Sequence, residues 1–237
     1  QNISIEDLKQ ADQGVNRTYN SLSQDQKLGQ LFIVALYTNK GEDHISNVRR
    51  IVEQEQIGGL ILMQDDAARE ITLVNEFQSK SKVPLMIGMD AEWGLFQRIA
   101  AAHKFPWAMT LGAIQDKNLI TQMAAKIAED SKRMGINWDF APVVDVNTNP
   151  DNPIIGNRSF GSEVQNVVNS ALAYSNGLQD NRILAAIKHF PGHGDTSTDS
   201  HFDLPVVAHN LDRLNAVELA PFKALMDKGV GGVMVAH

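Results

Sequence analysis

The sequence contains no cysteine, which excludes disulfide bonds, thiolate metal sites and a cysteine nucleophile. It also lacks any apolar run near the length of about 18 residues that suggests a membrane span. Positive charge is scarce: 21 Lys and Arg stand against 28 Asp and Glu, giving a net charge of -7 at pH 7. A nucleic-acid partner is not expected, because a basic face that attracts phosphates is missing.

The 237 residues, 43% hydrophobic and 21% charged, are typical of a globular chain with a substantial core. Short apolar runs alternate with segments of helical periodicity. The apolar runs are Leu31–Leu36, Gly59–Met63, Leu85–Met89, Asn137–Val144, Ile183–Ile187 and Val230–Val235. The helical segments are Ile45–Gln54, Ala67–Lys80, Leu119–Met134, Val164–Asp180 and Leu214–Lys228. Continuous apolar strands predict parallel pairing with helices covering both faces of the sheet.

Two α/β architectures fit this alternation, an open doubly wound sheet and an eight-stranded barrel. No Gly-x-Gly-x-x-Gly fingerprint follows the first strand, which disfavours the open sheet. Polar residues follow strand after strand, as at the mouth of a barrel: Asp65, Asp90, Glu92, Asp145, Lys188 and His237. We predict one (β/α)8 domain over residues 1–237. Only six of its eight strands are found, so we expect a barrel truncated after about the sixth strand.

The densest cluster of ionisable residues lies between Lys188 and His201. Its Gly, Pro, Ser and Thr content predicts a mobile loop with little core to hold it. A metal site is disfavoured, because Pro191 and neighbouring glycines forbid the helix that His189 and a histidine four residues later would need. A phosphate-binding loop would require a following helix. Acid/base catalysis is favoured, because Asp199 and His201 project to one side of an extended segment and a carboxylate orients an imidazolium.

The segment Lys188-His-Phe-Pro-Gly-His-Gly-Asp195, followed by Asp199-Ser-His201, resembles the signature of glycoside hydrolase family 3, in its β-N-acetylhexosaminidase branch. Further blocks with the same resemblance cover nearly the whole chain: Leu28-Gly-Gln-Leu-Phe, Ile57-Gly-Gly-Leu-Ile, Ile87-Gly-Met-Asp-Ala-Glu92, Asn137-Trp-Asp-Phe-Ala-Pro-Val-Val-Asp145, Asn157-Arg-Ser-Phe-Gly161 and Gly232-Val-Met-Val-Ala-His237. Where the family often has Asp-x-Glu-Gly-Gly-Arg, this chain has Trp93 and Leu95 in place of a glycine and the arginine. That variant resembles members from Bacteroidetes-type bacteria, and contacts of the missing arginine are not expected here.

The resemblance implies a role for each matching residue. His201 would be the general acid/base and Asp199 its partner. Lys188, His189 and Arg158 would hold hydroxyls of the terminal sugar, and Asp90 hydroxyls at the far edge of that ring. The implied mechanism is retaining, with a covalent glycosyl-enzyme intermediate and no metal or cofactor. The family nucleophile is an aspartate beyond the sixth strand, so we expect it past residue 237 and expect this chain alone to be catalytically incomplete.

The resemblance thus implies an exo-β-N-acetylhexosaminidase that removes terminal β-linked N-acetylglucosamine, from peptidoglycan fragments or other amino-sugar glycans. The alternatives are a sugar-binding barrel without catalysis and a family 3 β-glucosidase, which would lack the Asp–His dyad. The expected partner is a carbohydrate substrate, and a further C-terminal domain is possible. The chain begins at Gln1 rather than Met, so we expect an upstream segment to have been removed, which favours a periplasmic or secreted protein over a cytoplasmic one.

Overall fold

The computed structural model describes residues 5–64, 66–197 and 205–236, with the side chains of residues 5–10 left undescribed. The predicted dyad, Asp199 and His201, lies outside the described residues. The chain divides into two compact units, one formed by Gln1–Gln64 with Ala68–Ile87 and the other by Asp65–Ala67 with Gly88–His237. The residues that carry the candidate site belong to the second unit.

Six strands lie at the six predicted places. They are β1 (Ile33–Leu36), β2 (Gly59–Leu62), β3 (Met86–Met89), β4 (Trp138–Asp139), β5 (Leu184–Phe190) and β6 (Gly232–Val235). The order of hydrogen-bonded neighbours follows the chain, β1-β2-β3-β4-β5-β6. The pairs β1–β2, β3–β4, β4–β5 and β5–β6 are parallel. This order confirms the predicted α/β class, because consecutive strands of a (β/α)8 barrel are parallel neighbours.

Helices precede the sheet and separate each strand from the next. They are α1 (Ile5–Ser21), α2 (Gln24–Gly29), α3 (Glu42–Glu55), α4 (Ala67–Lys80), α5 (Ala108–Gly112), α6 (Lys117–Arg133), α7 (Val164–Gln179), α8 (Leu211–Ala216) and α9 (Ala220–Met226). The four predicted helices before β5 are confirmed to within a few residues. The short helix α5 was not predicted, since five residues are too few to show a period.

The prediction of one helix over Leu214–Lys228 is wrong. The segment forms α8 and α9, and Pro221 lies in the first turn of α9. Proline has no N–H for an interior helical hydrogen bond, but it is tolerated in the first turn, where no such bond is needed. The apolar spacing on which the prediction rested continues across the break, so periodicity alone could not locate it.

Within the first unit, the local sequence explains the start of α2 and the packing of α3 with α4. The Ser23 side chain accepts from the backbone N–H of Gln26, and the Gln26 side chain accepts from the N–H of Ser23, which is a capping box. Apolar side chains of α3 and α4, among them Val48 and Phe77, are buried. Two ion pairs, Arg49–Glu76 and Lys80–Glu53, join the two helices at their surface.

Within the second unit, one large core surrounds β5. Helices α6 and α7 pack closely where α7 has Gly177, since a Cβ atom there would lie 2.4 Å from the carbonyl oxygen of Thr121. Phe222 of α9 and Tyr174 of α7 are also buried in this core. The core holds the carboxyl end of β5, which supplies the central residue of the candidate site.

The sequence predicted that every strand is covered on both faces. The structure shows this for only part of the sheet. Strands β2 to β5 are largely buried, whereas β6 alternates, with Val233 and Val235 exposed. Strand β4 is also shorter than its apolar run, because Pro142 cannot donate a ladder hydrogen bond. Beyond β4 the chain still follows β5, since the N–H of Val144 donates to the carbonyl of Lys188.

Candidate active site

Lys188, near the carboxyl end of β5, is the centre of a buried ionic cluster. Its Nζ lies 2.8 Å from Oδ1 of Asp90 and 2.8 Å from Oε1 of Glu92, and its side chain is only 2% exposed. Both carboxylates follow β3, two residues apart. Burial would lower the pKa of Lys188, but the carboxylates of Glu92 and Asp90 raise it above its ordinary value. Lys188 is therefore a fixed cation that donates to both acids.

Two arginines complete the charge balance of these acids. Arg158 binds Glu92 through Nη2–Oε1 at 2.7 Å and Nε–Oε2 at 3.0 Å. Arg98 binds Oδ2 of Asp90 at 2.5 Å. Burial favours the neutral form of Glu92, yet Lys188 and Arg158 together lower the pKa of Glu92 to about 2. Lys188 and Arg98 likewise outweigh burial and lower the pKa of Asp90. Both acids are ionised at any physiological pH.

Asp145, at the end of the segment after β4, orients His189. Its Oδ2 lies 2.7 Å from Nδ1 of His189, and its two oxygens also accept from the backbone N–H of the same residue. An N–H at Nδ1 can donate to this carboxylate. Nη2 of Arg158 lies 3.3 Å from Nε2 of the same ring. His189 is thus held between an acid and an arginine.

The loop after β5 is better packed than its composition predicted. His193 is buried, and its backbone N–H donates to Oδ1 of Asp145 at 2.7 Å. Its Nδ1 pairs with the hydroxyl of Thr196, which is also buried. Burial lowers the pKa of His193, so its ring is neutral. The prediction that this loop has little core to hold it is therefore wrong for its residues up to Thr196.

Glycine and asparagine allow this tight packing. A Cβ atom on Gly194 would lie 1.9 Å from the carbonyl oxygen of Val146, so only glycine permits the approach. The Asn152 side chain donates to the carbonyls of His193 at 2.8 Å and Thr196 at 2.9 Å. The loop is consequently fixed against the segment that follows β4.

Asp195 connects the segment after β4 with the segment before α8. Its Oδ1 accepts from the hydroxyl of Thr148 at 2.7 Å, and its Oδ2 lies 2.6 Å from Nε2 of His209. Burial would raise the pKa of Asp195, but Thr148 and His209 lower it. An ionised Asp195 therefore anchors both the segment after β4 and the segment before α8.

Trp93 directly follows Glu92 at the edge of the ionic cluster. Its ring packs on that of Trp107 with centroids 4.1 Å apart. The carbonyl oxygen of Trp93 also accepts from the N–H of Phe105. Trp93, which stands where the family often has a glycine, thus fixes the segment leading into α5.

Over residues 5–64, 66–197 and 205–236, no group of three or more His, Asp and Glu side chains is arranged to hold a metal ion. Within those same ranges, no helix is long and apolar enough to cross a membrane.

The motifs that supply these residues match a known family model. The model of the glycosyl hydrolase family 3 N-terminal domain matches residues 23–237. The chain belongs to glycoside hydrolase family 3. The match spans all six strands, so every residue of the ionic cluster lies within the family 3 domain.

Similar proteins within family 3 include hexosaminidases. β-Hexosaminidase A of Pseudoalteromonas piscicida is 39% identical over 201 residues, covering 79% of this chain and 34% of the relative. A β-N-acetylglucosaminidase/β-glucosidase of Cellulomonas fimi is 31% identical, covering 94% of this chain and 39% of the relative. The solved family 3 β-N-acetylglucosaminidase from Paenibacillus sp. str. FPU-7 is 36% identical with a TM-score of 0.81, over 91% of this chain and 42% of that one.

The chain therefore spans between 34% and 39% of the length of these two curated relatives.

The structure brings together four of the six residues that the sequence nominated: Asp90, Arg158, Lys188 and His189. Glu92, Asp145 and Arg98 were not nominated, although all three bind nominated residues. Glu92 and Asp145 stood at predicted strand ends, a signal that could have found them. Arg98 follows a short 3-10 turn and gives no such signal in the sequence.

Proposed function

We propose that the protein containing this chain is a retaining exo-β-N-acetylhexosaminidase. It removes terminal β-linked N-acetylglucosamine, and peptidoglycan fragments or related amino-sugar glycans are its natural substrates. The observation that carries this proposal is the buried cluster of Lys188 with Asp90, Glu92 and Arg158, at the carboxyl ends of successive strands in a family 3 domain. The hexosaminidase names of its relatives support the same activity.

Some residues of the cluster are exposed enough to contact the sugar, and the others hold those residues in place. Asp90 and Arg158 are 23% and 21% exposed, so their free donor and acceptor positions are open to hydroxyls. Lys188 and Glu92 are almost fully buried. A sugar hydroxyl both donates and accepts, so it pairs well with a carboxylate flanked by fixed cations. Glu92 therefore acts chiefly by fixing Arg158 and Lys188.

The proposed chemistry follows the retaining scheme. His201, oriented by Asp199, protonates the glycosidic oxygen while an aspartate downstream of residue 237 attacks the anomeric carbon. The leaving group departs with the proton, and a covalent glycosyl-enzyme forms. His201 then takes a proton from water, which attacks the anomeric carbon and releases the aspartate. A domain following the barrel is also proposed, since the relatives extend beyond the matched part.

A second candidate is a β-glucosidase, because the Cellulomonas relative carries both activities in its name. A sugar-binding barrel without catalysis is a third. A periplasmic or secreted location stays a prediction from the sequence. The two enzymatic candidates differ in whether the 2-acetamido group of the sugar is required, and the binding protein differs in having no turnover.

The test is nitrophenol release by the complete protein from the β-N-acetylglucosaminide and from the β-glucoside. We expect a higher kcat/KM for the N-acetylglucosaminide, and a loss of about 100-fold or more in kcat for His201→Ala. The matched control is His103→Ala, an exposed histidine outside the cluster, which should leave turnover unchanged. Preference for the glucoside would support the second candidate. Undiminished turnover by His201→Ala would exclude the proposed dyad.

A further inference from the structure

A buried acid with no assigned role, Asp139, lies beneath the ionic cluster. It ends β4 and is 1% exposed. Its Oδ1 accepts from the backbone N–H of Ala91 at 3.0 Å. Ala91 connects Asp90 with Glu92, so this hydrogen bond holds the short segment that carries both acids.

Tyr174 of α7 holds the same segment by binding the backbone carbonyl groups of that segment. Its hydroxyl lies 3.2 Å from the carbonyl oxygens of Ala91 and of Glu92 and donates to them. The hydroxyl also faces Asp139, and burial together with that neighbouring acid raises the pKa of Tyr174. Oδ2 of Asp139 is buried and has no hydrogen-bond partner within the described residues.

The buried Oδ2, unpaired within the described part of the chain, favours the protonated form of Asp139. A buried carboxylate without a donor is costly, and protonation relieves the cost. The charged and titratable groups that face Asp139 are Lys188 from β5, Asp90 and Glu92 from the segment after β3, and Tyr174 from α7. Burial and the two neighbouring acids raise the pKa of Asp139 to about 7, although Lys188 and the N–H of Ala91 act in the opposite direction.

Lys188, Arg158 and Arg98 already bind Asp90 and Glu92. An ionised Asp139 would therefore place a third carboxylate close to two others in a region that excludes water.

We infer that Asp139 is a positioning residue that supports sugar binding in its protonated form and weakens sugar binding when it ionises. This inference rests on the proposed function, because the pocket it positions is the proposed sugar site. In the neutral form, Lys188 is shared by two acids and holds Asp90 in place. An ionised Asp139 becomes a third anion competing for Lys188, and it repels Asp90 and Glu92.

The sign of the pH dependence follows directly. As pH rises through about 7, Asp139 loses its proton, and the affinity for N-acetylglucosamine falls. Linkage requires the converse as well: sugar binding near pH 7 draws protons from solution. The first effect is a change in dissociation constant, and the second is measurable in the unmodified protein.

The experiment is isothermal titration calorimetry of N-acetylglucosamine with the complete protein between pH 5.5 and 8.5. We expect the dissociation constant to rise by about fivefold or more across this range. Asp139→Asn keeps an oxygen for the N–H of Ala91 but cannot ionise, so its affinity should be nearly constant with pH. Tyr174→Phe, the control, loses the other support of the segment and should retain the pH dependence.

A second measurement needs no variant. Titrations at pH 7 in buffers of different ionisation enthalpy give the number of protons taken up, which should be positive. Zero uptake, or a pH dependence that persists in Asp139→Asn, would overturn the role of Asp139 while leaving the proposed function standing. Absence of both sugar binding and nitrophenol release at every pH would overturn the proposed function, and the inference with it.

Discussion

The guanidinium of Arg158 binds the carboxylate of Glu92 through two hydrogen bonds of 2.7 and 3.0 Å. The two residues are 66 positions apart in the chain. A paired geometry of this kind fixes direction as well as distance, because both partners are planar. The pair therefore ties the segment after β3 to the turn that follows β4, and it sets the position of the proposed sugar-binding arginine.

Removing the acid of this pair should destabilise the protein strongly. Glu92→Gln leaves Arg158 without its buried partner, and we expect a loss of about 3 kcal/mol in the free energy of unfolding. The matched control is Glu76→Gln, which breaks the more exposed pair with Arg49 and should cost about 0.5 kcal/mol. Urea unfolding at pH 7 measures both. Equal losses in the two variants would contradict a special role for the buried pair.

The lowered pKa of Glu92 predicts that the protein loses stability in acid. Its pKa falls from 4.5 in the unfolded chain to about 2 in the folded protein. A lowered pKa stabilises the folded state above pH 4.5, and this contribution, about 3 kcal/mol, is lost as pH falls towards 2. Urea unfolding from pH 6 to pH 3 should show a steeper decline for the unmodified protein than for Glu92→Gln. Parallel curves would mean that Glu92 is not the responsible group.

Arg158→Lys tests geometry separately from charge. Lysine keeps the positive charge but cannot form both hydrogen bonds to Glu92 or reach His189 in the same way. On the proposed function, we expect KM for the nitrophenyl N-acetylglucosaminide to rise by about tenfold. Arg133→Lys, on the exposed end of α6, should leave KM unchanged. An unchanged KM in Arg158→Lys would show that charge alone suffices.

Gly194→Ala tests the packing of the loop after β5. The added Cβ would lie 1.9 Å from the carbonyl oxygen of Val146, so the backbone must move. We expect a loss on the order of 3 kcal/mol in stability together with reduced turnover. Gly14→Ala in α1 meets nothing within 4 Å and should be tolerated. Thermal unfolding and nitrophenol release measure the two effects, and a fully active Gly194→Ala would show that the loop can shift without consequence.

The sequence was sufficient for the strands and the longer helices, because these depend on local periodicity. Alternating apolar runs and helical segments predicted all six strands. The break between α8 and α9 was missed although Pro221 was visible, since the apolar spacing runs through it. The exposure of β6 depends on what packs beside a strand, which no local pattern records.

For the site, the sequence alone determined that ionisable residues follow the strands, and its family resemblance predicted that Asp90, Arg158, Lys188 and His189 hold the sugar. Tertiary structure decided which charges meet. Lys188 is 98 residues from Asp90, so their contact at 2.8 Å arises from strand order and register. The neutral state favoured for Asp139 is likewise a tertiary property, because burial and the fields of distant residues set a pKa, and neither is encoded in the neighbouring sequence.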